Sequence, residues 1–350
     1  MKVGLCTQYM DGEFTGVGVT VKRLAGALMD LEDAPELHLV HMRRGGDPIY
    51  ARAAGEHVFT TPARVVWWRS QDRFCRRLSR DLDVIHEPFM GLTSEMACPQ
   101  VLSFHDVVPL TNPELSSRMF GVYFKRIMPR VLRSADAVIC NSGTTRKDLL
   151  HHYEVDPEKV HVVYHGLDVP RFERGDEFRG MEPYVVAMSH TRMKNVGFTV
   201  SEFARYKEEH GGDLRLVVVG KDFSCLAADR SDVVVTGYLE RDRLLGLMAG
   251  AEAFLFPSLY EGFGYPPLEA MALGVPTVVS DRGSLPEVTG DASLVVDIDR
   301  MGSLAEAIHR LRSEEGLVDD LRRRGLERSG MFTWERAARG TLEVYRGLVG

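Results

Sequence analysis

Short apolar runs alternate with amphipathic stretches along the whole chain. In the first half, Lys2–Cys6, Leu37–His41, Val84–His86, Val101–Phe104, Ala137–Cys140 and Val160–Val163 read as strands. Apolar positions at helical spacing predict helices over Gly18–Leu31 and Glu114–Leu132. The second half repeats the scheme. Strands are expected at Tyr184–Met188, Leu214–Val219, Val233–Thr236, Ala253–Phe256, Thr277–Ser280 and Leu294–Val296. Helices are expected at Val196–Glu209, Glu240–Met248, Pro267–Leu273 and Leu304–Arg324. The run Leu216-Val217-Val218-Val219 is apolar without alternation, as strands are when helices cover both faces of a parallel sheet.

This alternation predicts an α/β protein with doubly wound parallel sheets. A dozen strands exceed one comfortable core of this kind. Tyr164-His165-Gly166-Leu167-Asp168-Val169-Pro170 follows a strand and carries Gly and Pro, so the boundary is placed there. The expected division is an N-terminal domain over 1–166, a second over 167–331, and a closing helix over 332–350 that crosses back to the first, anchored by Trp334.

A length of 350 residues suits two domains of roughly 150 residues each. Hydrophobic residues at 44% and charged residues at 27% exclude a disordered or collagen-like chain. Lys and Arg number 43 against 50 Asp and Glu, a net charge of −7, which argues against a nucleic-acid partner. Residues 1–166 balance at 20 cations and 20 anions, while residues 167–350 carry 23 and 30. An anionic ligand in the second half therefore needs focused local donors. Cys6, Cys75, Cys98, Cys140 and Cys225 are odd in number and lack CxxC spacing, so reduced thiols in a cytoplasmic protein are expected. No leader is visible before the first strand, and no apolar run approaches the ~20 residues of a membrane span.

Ligands of open α/β sheets bind at the carboxyl ends of strands. Polar and glycine-rich segments fall at those ends repeatedly: Thr15-Gly16-Val17-Gly18, His105-Asp106, Ser189 to Asn195, Gly220, Gly237-Tyr238-Leu239 and Pro257 to Pro267. One interdomain cleft is the expected result. In Glu261-Gly262-Phe263-Gly264-Tyr265-Pro266-Pro267-Leu268-Glu269, the glycines let backbone approach a ligand, and Pro266 or Pro267 suits a helix start. Free amides there would favour phosphate. Glu269, expected in the first turn, could accept two hydrogen bonds from a ribose diol, and Glu261 would face the other end of the ligand. A glycine-rich loop with one Glu aiding the helix dipole explains the same residues structurally. Arg192 and Lys194 could neutralise a diphosphate; solvated charge before a helix is the plain alternative. His105 could donate to a sugar hydroxyl or to developing negative charge, or could be a structural hydrogen-bonding residue.

The combination resembles the retaining, GT-B-type glycosyltransferases of family 4. The resemblance rests on Glu261-x7-Glu269 with its Gly-Phe-Gly interior, the segment ending Lys194-Asn195, and Ser103-Phe104-His105-Asp106. It extends to Thr15-Gly16-Val17-Gly18, Tyr164-His165-Gly166-Leu167-Asp168 and Phe332-Thr333-Trp334-Glu335, so it covers nearly the whole chain in order. It implies a GT-B fold, two Rossmann-like domains facing across a cleft, with the acceptor on the first and the nucleotide sugar on the second. It also implies that Glu269 holds ribose. Arg192 and Lys194 would hold diphosphate with backbone from Gly264 to Leu268, and Glu261 with Gly262, Phe263 and Gly264 the donor sugar. His105 would lie near the reacting carbon. Gly220 and Gly237, Tyr238 and Leu239 would line the base pocket, and Gly16 and Gly18 would complete the cleft. Many relatives carry an Arg soon after the strand, where this chain has Ser189 and His190.

The implied reaction moves a hexose from a UDP- or GDP-sugar to a hydroxyl by front-face substitution, with no cofactor and no bound metal. The acceptor is a carbohydrate, a lipid-linked sugar or a small molecule. Asp81-Leu82-Asp83 and Asp297-Ile298-Asp299 read as turn carboxylates rather than metal ligands, and His151-His152 as a polar helix end. In Trp67–Leu82, Trp68, Phe74, Cys75, Leu78 and Leu82 share a helical face and five arginines fall elsewhere. Peripheral membrane contact through this segment, or packing on the sheet with arginines in water, both fit. A nucleotide-sugar epimerase or hydrolase of the same fold is the alternative function, and a non-catalytic sugar-nucleotide binder a third. A dehydrogenase is disfavoured because Gly16 and Gly18 lack the third glycine of GxGxxG.

Overall fold

The computed structural model describes residues 1–10, 16–42, 46–60, 67–168, 178, 180–220 and 231–350. Thr15, Val169, Pro170 and Cys225 lie outside the described residues, as do the side chains of Trp67 and Trp68. The chain packs as two compact units, one of Met1–Gly166 with Phe332–Gly350 and one of Leu167–Met331.

The first unit holds a seven-stranded sheet of β1 (Lys2–Cys6), β2 (Glu36–His41), β3 (Gly55–Val58), β4 (Val84–Glu87), β5 (Gln100–Phe104), β6 (Ala137–Cys140) and β7 (Val160–Val162). Its order is β3-β2-β1-β4-β5-β6-β7, and every described pairing is parallel. Its helices are α1 (Gly16–Met29), α2 (Trp67–Leu78), α3 (Val108–Thr111), α4 (Arg118–Arg126), α5 (Met128–Ser134) and α6 (Gly143–His152). The second unit holds a six-stranded sheet of β8 (Tyr184–Met188), β9 (Arg215–Val219), β10 (Val233–Gly237), β11 (Ala253–Phe256), β12 (Thr277–Ser280) and β13 (Ser293–Val296), in the order β10-β9-β8-β11-β12-β13. Around it lie α7 (Val196–His210), α8 (Arg241–Ala249), α9 (Tyr265–Ala272), α10 (Leu285–Thr289), α11 (Ser303–Ser313) and α12 (Leu317–Ser329). The last helix, α13 (Trp334–Val349), packs with α1 in the first unit, where Leu28, Leu342 and Tyr345 share one core cluster with Leu5 and Leu39.

Four expectations change. β3 is an extra strand: Gly-Glu-His-Val has no apolar run, and as an edge strand it needs none. The helix expected over Glu114–Leu132 is broken into α4 and α5 at Ile127, because Pro129 cannot continue the hydrogen-bond ladder. The helix expected over Leu304–Arg324 ends at Ser313 and restarts after Gly316, which takes a φ of 78°. α1 opens at Gly16, two residues before the expected start at Gly18, so Gly16 is a helix residue and not part of the preceding loop.

The apolar side of α2 is used inside the unit. Cys75 and Leu82 are buried with Cys6, Ile85 and Leu92, and Phe74 and Leu78 pack against them. Its arginines point outward. Among the described residues no helix is long and apolar enough to cross a membrane.

Each sheet has a switch point, where successive crossovers leave in opposite directions: between β1 and β4 in the first unit, and between β8 and β11 in the second. A crevice opens at the carboxyl ends of such strand pairs.

Candidate active site

In the second unit, the segments following β8 and β11 meet at the switch point. After β8, Arg192–Lys194 forms one 3-10 turn and Asn195 takes a φ of 54°. After β11, Pro257 to Gly264 leads into α9. Met193 joins the two segments: its carbonyl accepts from the Leu259 amide at 2.8 Å, and the Ser258 hydroxyl lies 2.8 Å away. This juxtaposition brings Lys194 Nζ to 2.5 Å from Glu261 Oε1. Both side chains are largely buried, at 16% and 13% exposure. Lys194 also lies over the Phe256 ring, 4.6 Å from its centroid. Carboxylate and ring together offset the desolvation of the ammonium. The Ser258 hydroxyl stands 2.7 Å from the same carboxylate oxygen.

Glu261 is fixed from below by residues the sequence reading did not single out. The Ser284 amide donates to the Glu261 carbonyl at 2.9 Å, and the Ser284 hydroxyl lies 3.0 Å from that oxygen and 2.8 Å from the Phe263 carbonyl. Gly283 has a φ of +56°, and a Cβ there would stand 2.4 Å from the Glu261 carbonyl oxygen. Only glycine permits that approach.

Helix α9 opens at Tyr265, earlier than expected, with Gly264 as its cap. Two consequences correct the sequence reading. Pro266 and Pro267 have no N–H, so this end has fewer amides to offer an anion than expected. Glu269 lies beyond the first turn and does not serve the helix dipole. It is buried at 8% exposure. Its Oε1 accepts from Arg241 Nη1 at 2.6 Å, while Arg241 Nη2 donates to the Asp168 carbonyl at 3.1 Å. Burial raises the carboxyl above its ordinary pKa, and Arg241 opposes that rise. Leu268 is fully buried.

At the ends of β8, β9 and β10, the Gly220 amide donates to the Gly237 carbonyl at 2.9 Å. Gly220 has a φ of +130°, and a Cβ would meet Ser189 Oγ at 2.9 Å and the His190 amide at 3.0 Å. The Tyr238 ring is 71% exposed and lies edge-on to His190, with centroids 6.4 Å apart. Burial, with Lys194 nearby, lowers the His190 pKa, so the imidazole is neutral near pH 7. Its buried Nδ1 has no hydrogen-bond partner among the described residues. Leu239 is buried beneath. Phe263 and Tyr265 pack edge-on at 5.1 Å. Arg192 is exposed, and its side chain has no partner among the described residues.

The first unit places another carboxylate at its own switch point. Glu87 ends β4 and is 1% exposed. It accepts hydrogen bonds from the Tyr9 hydroxyl, from Gln8 Nε2 at 2.9 Å, from the Phe89 amide at 3.0 Å and from the Gly91 amide. Burial raises its pKa against those four donors. The turn wrapped on Glu87 presents the Pro88 carbonyl, which accepts from His105 Nε2 at 2.7 Å. Nε2 therefore carries the proton. Burial lowers the pKa of His105, leaving the ring neutral with a lone pair on Nδ1. It can accept from a hydroxyl but cannot donate to one, which reverses the role read from sequence.

Arg241, Ser258, Gly283, Ser284 and Glu87 escaped the sequence reading. Glu87 carried a signal, since it follows an apolar strand at the ligand edge. Arg241 carried none, because its partner is 28 residues away. Asp297 accepts from the Asp299 amide at 2.9 Å, as a turn carboxylate does, whereas Asp83 accepts from the distant Lys2 amide at 2.7 Å. Cys6, Cys75, Cys98 and Cys140 are buried thiols.

Family profiles match both halves of the chain: Glycosyltransferase Family 4 over residues 14–171 and Glycosyl transferases group 1 over residues 182–314. The chain is a family 4 glycosyltransferase. The enzyme is 32% identical to the MMP alpha-(1->4)-mannosyltransferase of Mycolicibacterium hassiacum, over 76% of this chain and 70% of that protein. It is 40% identical to O-antigen chain mannosyltransferase B of Escherichia coli, over 70% of each chain. Among solved structures, Anabaena HepE in complex with UDP-glucose superposes with a TM-score of 0.77 at 17% identity, covering 99% of this chain and all of that one. The enzyme has the GT-B fold, as its two parallel-sheet units also indicate.

Proposed function

We propose that the enzyme transfers a hexose, with mannose first and glucose second, from a UDP- or GDP-sugar to a hydroxyl of a carbohydrate, lipid-linked or small-molecule acceptor. Transfer retains configuration and uses no bound metal. The two relatives named mannosyltransferases, and the neighbour that holds UDP-glucose, support this choice of sugars and donor. The observation that carries it is the buried Lys194–Glu261 pair at 2.5 Å. A lysine has three donors. Lys194 can keep Glu261 while turning another N–H to a phosphate oxygen, and Glu261 keeps lone pairs for sugar hydroxyls. Glu269, beside Arg241, accepts the two ribose hydroxyls. Gly220, Gly237, Tyr238 and Leu239 border the base. Backbone of Gly262, Phe263, Gly264 and Leu268 follows the sugar and diphosphate.

In the reaction, the bond from the anomeric carbon to the diphosphate oxygen breaks and the acceptor oxygen bonds that carbon on the same face. The acceptor proton passes to the departing diphosphate. Lys194, with Arg192 as a second cation, stabilises the charge that develops on the leaving group. His105 Nδ1 accepts from a sugar hydroxyl and orients it. The buried thiols fit a reducing compartment, and we place the enzyme in the cytoplasm.

A thermal-shift screen of UDP, GDP and their hexoses should identify the donor by the largest stabilisation. With that donor, Lys194→Ala should lower kcat about 10²–10³-fold. Glu269→Ala should raise the donor KM about tenfold or more. A chelator should leave the rate unchanged. Parent-like transfer by both Lys194→Ala and Glu261→Ala would show the site assignment to be wrong.

A further inference from the structure

The first unit carries a set of cations that no described residue neutralises. On and just after α2, Arg73, Arg76, Arg77 and Arg80 are exposed and have no ion pair or side-chain hydrogen bond among the described residues. Arg73 and Arg76, at i and i+3, share one side of α2, and Arg80 follows in the turn after it. The sole acid of α2, Asp72, is turned inward, where Thr93 and Ser94 donate to it through amides and hydroxyls. On α4 and α5, Arg118, Lys125, Arg126, Arg130 and Arg133 are equally exposed and unpaired among the described residues. No carboxylate occurs between Glu114 and Asp136. The second unit behaves differently: Arg310, Arg322, Arg323 and Arg324 each pair with an acid three or four residues away along the chain. Unpaired cations gathered on one face of a chain with net charge −7 make that face a collector of anions.

These helices share one layer. The crossovers β3 to β4 and β5 to β6 step the same way along the sheet, so right-handed connections put α2, α4 and α5 on one side and α1 on the other. One loop ties them together. Asp72 of α2 holds Thr93 and Ser94, the Ser134 hydroxyl at the end of α5 lies 2.7 Å from the Leu92 carbonyl, and Val131 packs at Gly91.

The apolar content decides what kind of anion fits. Phe124 turns inward from α4, yet Met119 and Val122 stand out at 77% and 57% exposure. Spaced i and i+3, they form an apolar spot flanked by Arg118, Lys125 and Arg126. A soluble polyanion gains nothing from such a spot. A bilayer does, because aliphatic groups enter the acyl boundary while long cationic side chains reach headgroup phosphates. We propose that the outer face of α2, α4 and α5 docks the enzyme on an anionic lipid surface, with Met119 and Val122 inserted and the arginines on and just after α2 against the headgroups. The proposal needs nothing from the donor site.

Flotation of the full chain with vesicles tests it, comparing pure phosphatidylcholine with phosphatidylcholine mixed with phosphatidylglycerol. The enzyme should float with the mixed vesicles only, and less as salt rises. The triple variant Arg73→Gln, Arg76→Gln, Arg80→Gln should weaken partitioning about fivefold per residue removed, near a hundredfold together. The pair Met119→Asp, Val122→Asp should also abolish flotation. Both variants should keep the parent melting temperature and the parent rate on a soluble acceptor, which separates lost docking from lost folding. Failure to float with mixed vesicles overturns the proposal. So does flotation indifferent to the arginines. Flotation indifferent to Met119 and Val122, with equal capture by heparin, would assign the face to soluble polyanions instead.

Discussion

In the proposed donor site, Glu269 is a buried carboxylate assigned to bind ligand. A carboxylate at 8% exposure tends to keep its proton, and a protonated acid loses much of its capacity to accept two ribose hydroxyls. Arg241 Nη1, at 2.6 Å, keeps the charged form available. Arg241→Gln should therefore move the acid limb of donor binding to higher pH. It should also raise the donor KM about tenfold near neutrality, with kcat at saturating donor unchanged and Arg241→Lys recovering most of the loss. A pH profile of KM that does not move would remove Arg241 from this role. Residue types at the site were legible in the sequence because glycines, acids and a lysine follow apolar strands at the ligand edge. Their states were not. His105 changed from donor to acceptor because of one carbonyl, that of Pro88, presented by a turn folded around Glu87.

At the scale of elements, strand positions were readable and helix limits less so. Strands buried on both faces, such as Leu216–Val219, announce themselves by uninterrupted apolar character. Edge strand β3 lacks that character. Helix ends depend on local chemistry that periodicity does not weigh: Pro129 and Gly316 each divided one predicted helix into two. The loop carrying Glu261 rests on another element through Gly283 and Ser284, contacts more than 20 residues apart in sequence. Gly283→Ala places a Cβ against the Glu261 carbonyl and should cost about 1–3 kcal/mol. Urea unfolding measures that loss, and turnover should fall further because Glu261 is displaced. Unchanged urea midpoint and turnover would show that the loop does not depend on this approach.

At the scale of the molecule, α13 returns a buried hydroxyl to the first sheet. Tyr345 Oη lies 2.6 Å from His86 Nδ1, and Ser103 Oγ lies 2.9 Å from His86 Nε2. Burial drives the His86 pKa from 6.5 to about 3. The unfolded chain therefore takes up a proton that the folded chain refuses. The contribution of His86 is complete above pH 6.5 and is lost progressively as pH falls towards about 3. The slope is about 1.4 kcal/mol per pH unit. Glu87, raised by burial, acts in the opposite sense. The measurement is consequently a difference: His86→Gln should be less stable than the parent at pH 7, and the gap should narrow steadily towards pH 5. A constant gap would mean that His86 does not titrate on unfolding. The sequence by itself determined the α/β class, the run of strands, the family and which residue types stand at the ligand edges, because hydrophobic periodicity and glycine-rich strand ends are local properties of the chain. Only the tertiary structure decided which charges are neutralised, which nitrogen of an imidazole carries its proton, and which cations are left facing water. Those depend on partners brought within a few ångströms from distant parts of the chain, and a linear pattern does not encode such distances.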